Sequence, residues 1–218
     1  MPITSAICNS FKLELLNATH CFSTVQTPTA TAASSGLYTL SSVSSIVGLT
    51  IGMRISGTGI AANTVIASIG ASTIGLSSPT TGAVSGTITC LGDQFKMALF
   101  KSGVTNTYGA GTTSYSTMLG AGDECVGSGY TTGGINLSLT TPSLSGATAF
   151  VDFSNAVWNS STFNTDGCLI YNSTARSGNI SNRAVAVFSF GSTQSVSGST
   201  FTVVLPSNDG ANAMIRVT

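Results

Sequence analysis

The sequence predicts an all-β protein: an antiparallel β-sandwich with one N-terminal helix and an inserted small β-subdomain. Apolar residues recur in short runs, several of them alternating cleanly with polar residues. Clusters of Gly, Ser, Asn and Asp part these runs at the spacing of antiparallel sandwiches or barrels, with no helical crossovers between them. One stretch, residues 24–92, contains no Asp or Glu, which sets it apart from the rest of the chain.

The first element is a helix. Thr4 or Ser5 is placed to cap a segment in which Ile7, Phe11 and Leu15 recur at i, i+4 and i+8, with Leu16 beside them, and the helix is expected to end near Asn17. Residues 24–92 follow as an inserted small β module whose one charged residue is Arg54. Its TVQTPTATAASSG opening reads as a linker, and GLYTL, GMRISGTGI, NTVIASIG, STIGLSS and SGTITCLG read as strand-like pieces joined by glycine turns. Residues 1–23 and 93–218 then form a discontinuous sandwich core. Its strands are expected at FKMALF (95–100), INLSL (135–139), TAFVDF (148–153), CLIY (168–171), AVAVFSF (184–190), FTVVL (201–205) and AMIRV (213–217). Ile135, Leu137 and Leu139 share one face, as do Phe201, Val203 and Leu205, the pattern of a sheet with one buried side.

Charged residues make up 6% of the chain, against roughly 25% in ordinary soluble proteins. Seven acidic and seven basic residues give a formal net charge of zero, so long-range repulsion does little to keep copies apart. A homo-oligomer, dimer or trimer, is expected. The basic residues are scattered from Lys12 to Arg216, which argues against a nucleic-acid partner. The most apolar stretch, Ile46 to Met53, is short and broken by Gly48, Thr50 and Gly52, so no membrane-spanning helix is expected. The opening MPITSAICNSFKLELL has no basic segment leading into an apolar run and a small-residue cleavage site, and is not read as a signal peptide.

Cys8, Cys21, Cys90, Cys125 and Cys168 are odd in number, widely spaced and free of any C-x-x-C pair. They read as buried small hydrophobes, neither a zinc site nor a disulfide framework. The N-x-[ST] triplets at Asn17, Asn136, Asn159, Asn172 and Asn179 are expected by chance in a chain this rich in Ser and Thr.

Catalytic patterns are sparse. His20 is the only histidine, so any Ser-His-Asp or Cys-His mechanism would need it; its place beside Cys21, just past the helix, suits helix capping or packing. The glycine pairs Gly57/Gly59, Gly109/Gly111 and Gly127/Gly129 do not lie between a parallel strand and a helix, and read as turns. Carboxylates for glycoside hydrolysis would come from Asp123, Glu124, Asp152 and Asp166, but adjacent Asp123 and Glu124 would point to opposite faces of a strand. Charges within strands, such as Asp152 and Arg216, suit inter-strand or inter-subunit pairs. Trp158 with Phe150, Phe153, Phe163 and Tyr171 suits core packing more than a sugar-stacking platform, whereas Tyr108, Tyr115 and Tyr130, in Gly/Ser/Thr-rich connections, suit partner contacts. No catalytic, cofactor-binding or metal-binding residue is expected, and the chain reads as non-enzymatic.

Several segments carry a resemblance. SAICNSFKLELLNATHCF, DQFKMALF, GSGYTTGGINL, the Trp158 strand, CLIYNST and NRAVAVFSFG together resemble a family of small virion structural proteins of tailed bacteriophages, over residues 1–23 and 93–218. The relatives run from a helix with a T-H-x-F-like end through a strand similar to FKMALF and a Gly-Tyr-x-x-Gly-Gly strand start to a closing F-x-V-x-x-P-like strand. GMRISGTGIAANTVIASI resembles a second phage element, G-M-x-V-S-G-T-G-I-P-A-G-T-x-V, with Ala62 where that pattern often has Pro or Ala and Asn63 where it often has Gly, a change a turn tolerates. The resemblance implies a virion component assembled in the host bacterial cytoplasm. The expected role is a capsid decoration or cement protein that holds copies of itself and the major capsid protein. The alternative is a tail, neck or fibre component with a host-surface glycan-adhesion role, its module displayed on the outside.

Overall fold

The computed structural model describes residues 2–174 and 182–218. In chain order its elements begin β1 (Ala6–Ile7), α1 (Asn9–Leu16), β2 (Thr29–Ala32), β3 (Thr39–Leu40), β4 (Arg54–Ser56), β5 (Ile66–Ile69), β6 (Ile74–Leu76), β7 (Val84–Thr87) and β8 (Thr89–Leu91). They continue with β9 (Phe95–Lys101), α2 (Tyr115–Gly120), β10 (Ile135–Leu137), β11 (Ser143–Ser145), β12 (Thr148–Val151), β13 (Ala156–Asn172), β14 (Arg183–Val203) and β15 (Ile215–Val217). The protein is mostly β, in several antiparallel sheets. It divides into two compact units: Met1–Asn17 with Gln94–Thr218, and Ala18–Asp93.

The first unit is built on a five-stranded sheet in the order β1-β14-β13-β9-β10, beside a three-stranded sheet in the order β11-β12-β15. In β9 the residues Phe95 and Met97 to Phe100 are all buried, as is every residue of β13 from Cys168 to Asn172. Strands covered on both faces carry continuous apolar runs instead of alternation, which is why FKMALF and CLIY look as they do. β9 last pairs with β13 at Thr165; from there towards its start β13 continues as a ribbon with β14, in which Ala156–Thr165 pairs with Gln194–Val203 and Thr162 alone is also bridged to Ser128. There the pattern alternates: Ala156, Trp158, Ser161, Phe163 and Thr165 are buried, while Val157, Asn159, Thr162 and Asn164 are exposed.

The second unit holds three small sheets, β2-β7, β3-β6-β5 and β4-β8. Their inward residues, among them Leu40, Met53, Ile55, Ile66, Ile74, Leu76, Ile88 and Cys90, form a core of their own. Its two chain ends are clasped: Asp93 N donates to Cys21 O at 2.8 Å, and Cys21 N to Asp93 Oδ2 at 2.9 Å. A unit whose ends meet in this way is carried in a loop with little strain on its host. Asp93 is also the first acidic residue after Glu14, so the change in charge density falls at the change of unit.

Four expectations require correction. Neither Thr4 nor Ser5 caps the helix; Ala6 and Ile7 are drawn into β1 against Val187 and Ala186, and α1 starts at Asn9 with Cys8 at the N-cap. Of its expected apolar face only Phe11 is fully buried, worth about 2 kcal/mol. A second helix, α2, was not expected: it has six residues, of which only Tyr115 and Met118 are buried. AVAVFSF and FTVVL are not two strands but parts of β14, bent at two bulges with Gly191 (φ 80°) and Gly198 (φ 61°). The linker-like opening of the module contains β2, whose Ala30 and Ala32 are buried against β7.

Candidate interaction surface

Each carboxylate singled out for hydrolysis accepts hydrogen bonds from donors of the chain itself. Asp123 is fully buried and accepts from Thr105 N at 2.8 Å, Thr105 Oγ1 at 2.9 Å, Asn106 N at 3.0 Å and Tyr108 Oη at 2.8 Å. Lys101 Nζ stands 3.2 Å away. Burial on its own would raise this carboxyl, but the Thr105 and Asn106 amides and the Tyr108 and Thr105 hydroxyls outweigh it and hold the group well below the usual carboxylate range. Glu124 turns the other way and accepts from Tyr115 Oη at 2.6 Å, Tyr130 Oη at 2.7 Å and Gly133 N at 2.6 Å. The expected divergence of the two side chains is therefore met, and they form no facing pair.

Asp152 and Asp166 share no partner. Asp152 is buried and accepts from the amides of Phe153 (2.8 Å) and Met214 (3.2 Å); burial raises its carboxyl and the two amides offset only part of that. Asp166 accepts from Gly103 N at 2.9 Å and Thr193 Oγ1 at 2.6 Å. Arg216 donates to the Ala211 carbonyl. The remaining acids are engaged too: Glu14 meets Arg183 at 2.9 Å, and Asp209 accepts from Ala211 and Asn212 in its own turn.

Of the tyrosines whose loops suggested partner contacts, Tyr108 and Tyr115 are buried and Tyr130 is half-buried, and all three turn their hydroxyls onto the two carboxylates. Burial first, then the carboxylate beside each, pushes these phenols well above their ordinary range. Tyr171, stacked on Tyr115 at 4.5 Å and donating to Gly133 O at 2.7 Å, completes the cluster. The hydroxyl nests were the feature missed in the sequence. The signal was present: in a chain with so few charges, an Asp-Glu pair flanked by tyrosines demands donors if it is buried.

Trp158, Phe153, Phe163 and Tyr171 are buried, with Phe163 and Trp158 packed on Phe201 at 5.3 and 6.0 Å, so these aromatics are core. Trp158 Nε1 is buried without a partner among the described residues. His20 is half-buried, its ring 6.1 Å from that of Phe22. The five cysteines are buried and free, and burial pushes the thiols of Cys8, Cys125 and Cys168 up to about 12 and of Cys90 to about 11. Among the described residues no cluster of three or more His, Cys, Asp or Glu could hold a metal ion, and no helix is long and apolar enough to cross a membrane. Asn179 lies outside the described residues.

What the ribbon offers to another molecule is a backbone edge. β14 is covered by β1 at Ala186 and Val187, and Ser189 N reaches Ser5 Oγ at 3.0 Å. From Phe190 to Val203 no strand among the described residues pairs with its outer side. The bulges leave two straight runs, Gln194–Val196 and Ser199–Val203, with no charged residue and no proline. Natural edges are usually guarded by one or the other. The exposed ribbon face beside it, Asn159, Thr162 and Asn164 with Ser195 and Thr202, is equally neutral. No family model, no curated protein and no solved structure matches the chain.

Proposed function

We propose that the chain is a structural protein of a bacteriophage virion, a capsid decoration or cement protein that acts through contacts with copies of itself and with the shell. The observation that carries this reading is the neutral, uncovered edge of β14: a surface that supplies backbone hydrogen bonds without charge is suited to permanent assembly. The sequence resemblance supports the virion setting, and the routing of every acidic side chain into internal hydrogen bonds or ion pairs supports a non-enzymatic role. The finer architecture proposed with it is a sandwich, in which the β11-β12-β15 sheet covers the five-stranded sheet; the 5.0 Å packing of Phe95 on Phe153 supports that arrangement. The test is copy number in purified virions, with immuno-labelling. Hundreds of copies on the head are expected; a few dozen or fewer, confined to tail or neck, would overturn the capsid assignment.

A further inference from the structure

We propose that the pocket around Arg54 is a docking site for one carboxylate side chain, presented by an acidic loop of a different protein. Arg54 is the only charged residue in 24–92 and lies in β4, paired with Leu91 and bridged to Val65. Its side chain is half-buried, Nε is closed off from solvent without an acceptor, and the guanidinium has no hydrogen bond or ion pair among the described residues. A guanidinium partly removed from water with no counter-charge is a cost that an incoming anion relieves.

The pocket has a volume of about 180 Å³, with Ile55, Ile60 and Leu91 among its walls and the Gly57–Thr64 turn along one side. That turn is set before anything binds: Ile60 N donates to Gly57 O at 3.1 Å, Ile55 N to Thr64 O at 2.9 Å and Thr81 N to Gly59 O at 2.8 Å. Gly59 has φ +81°, and a Cβ there would fall 2.5 Å from Ala83 O, so the turn has no room to repack. Preorganisation of this kind lowers the cost of binding.

The chemistry selects the ligand. One cation and no second basic group match a single carboxylate, which the guanidinium fork can take bidentately, better than a phosphate. The volume falls below the roughly 300 Å³ at which small-molecule sites begin, and no aromatic residue lines it, which disfavours a sugar ring. The end of an Asp or Glu side chain fits. It must come from elsewhere, because each of the seven acidic side chains of this chain already holds a donor within its own unit. The site does not depend on where in a virion, or outside one, the chain acts.

The test uses the full chain labelled with 15N-arginine; with four arginines in the sequence the side-chain Nε–H signals are few enough to assign. The probes are the blocked tripeptide Gly-Glu-Gly, its Gly-Gln-Gly counterpart, and glucuronate. The Glu peptide is expected to shift the Arg54 signal saturably and the Gln peptide is not. Read from the backbone shifts of pocket residues in the uniformly 15N-labelled chain, Arg54→Met is expected to weaken binding roughly tenfold or more, with Arg54→Lys in between. The backbone spectrum of each variant reports that the fold is kept. No saturable shift, equal shifts at all four arginines, or saturation by glucuronate at lower concentration than the Glu peptide would overturn the proposal.

Discussion

Asp123 and Glu124 are consecutive, yet their carboxylates answer to separate sets of donors: Asp123 to Thr105, Asn106 and Tyr108, and Glu124 to Tyr115, Tyr130 and Gly133. One dipeptide thus ties down the 105–108 turn on one side, and α2 with the Tyr130–Gly134 turn on the other. Removing one acceptor leaves several donors dry at once. Glu124→Ala is expected to cost about 3 kcal/mol or more, and Tyr130→Phe, which leaves Glu124 two donors, about 1 kcal/mol. Denaturant unfolding of the two variants measures this; equal losses would mean that the carboxylate does not organise the cluster.

The two most buried aspartates have opposite effects on pH stability. Asp123 is held below its unfolded value, so as pH falls from about 4 the unfolded chain takes up the proton first and stability is lost. Asp152 is raised, so the folded state keeps its proton to higher pH, and its contribution is greatest in acid and declines as pH rises above about 4. Asp123→Asn is expected to flatten the acid limb of the stability profile while lowering stability at neutral pH by about 3 kcal/mol. Asp152→Asn is expected to remove a decline on the other side. Profiles that change in the same sense would contradict these assignments.

The all-β character was legible because alternation and turn residues are local signals. INLSL shows it well: Leu137 is buried, Asn136 exposed, and Ile135 pairs with Met97 of β9. The start of α1 was not legible, because Ile7 fits a helical face and a strand edge equally, and only the distant Ala186 and Val187 decide between them. The join of AVAVFSF to FTVVL was hidden by Gly191 and Gly198, which read as turns but serve as bulges. At the Asp123–Glu124 pair, divergence was legible from strand geometry. The tyrosines were not, since sequence places them in loops and only tertiary structure turns them inward.

Gly134 shows what the Gly-Gly of the Tyr130 segment is for. It has φ +68°, and a Cβ there would lie 1.8 Å from Met97 O, against the backbone of a central strand that cannot yield. Gly134→Ala is expected to cost at least about 3 kcal/mol and to lower soluble yield, whereas Gly146→Ala, also at positive φ but with open space around it, is expected to cost about 1 kcal/mol. Thermal unfolding of both separates clash from strain; similar losses would rule out the clash.

The thiols supply a check on packing. All five are buried, four are pushed up to about 11 or 12 by burial, and a thiol so protonated and enclosed does not react with disulfide reagents. Native protein is expected to release no fast phase with a chromogenic disulfide, and unfolded protein to titrate five thiols. A fast native phase of one or more thiols would place that cysteine at the surface.

The open edge of β14 makes a prediction about symmetry. A strand that pairs antiparallel with its own copy forms an isologous contact, which closes as a two-fold dimer; a trimer cannot be built from that contact alone. Ser195 and Thr202 are exposed on this strand, paired internally with Asn164 and Val157 of β13. Lysine at both positions would bring like charges together across a two-fold while leaving the buried side of the ribbon untouched. The Ser195→Lys/Thr202→Lys variant is expected to sediment as a monomer with an unchanged unfolding midpoint, where the parent sediments as a dimer. A parent trimer, or a variant that stays associated, would exclude the edge and move the self-contact to another face.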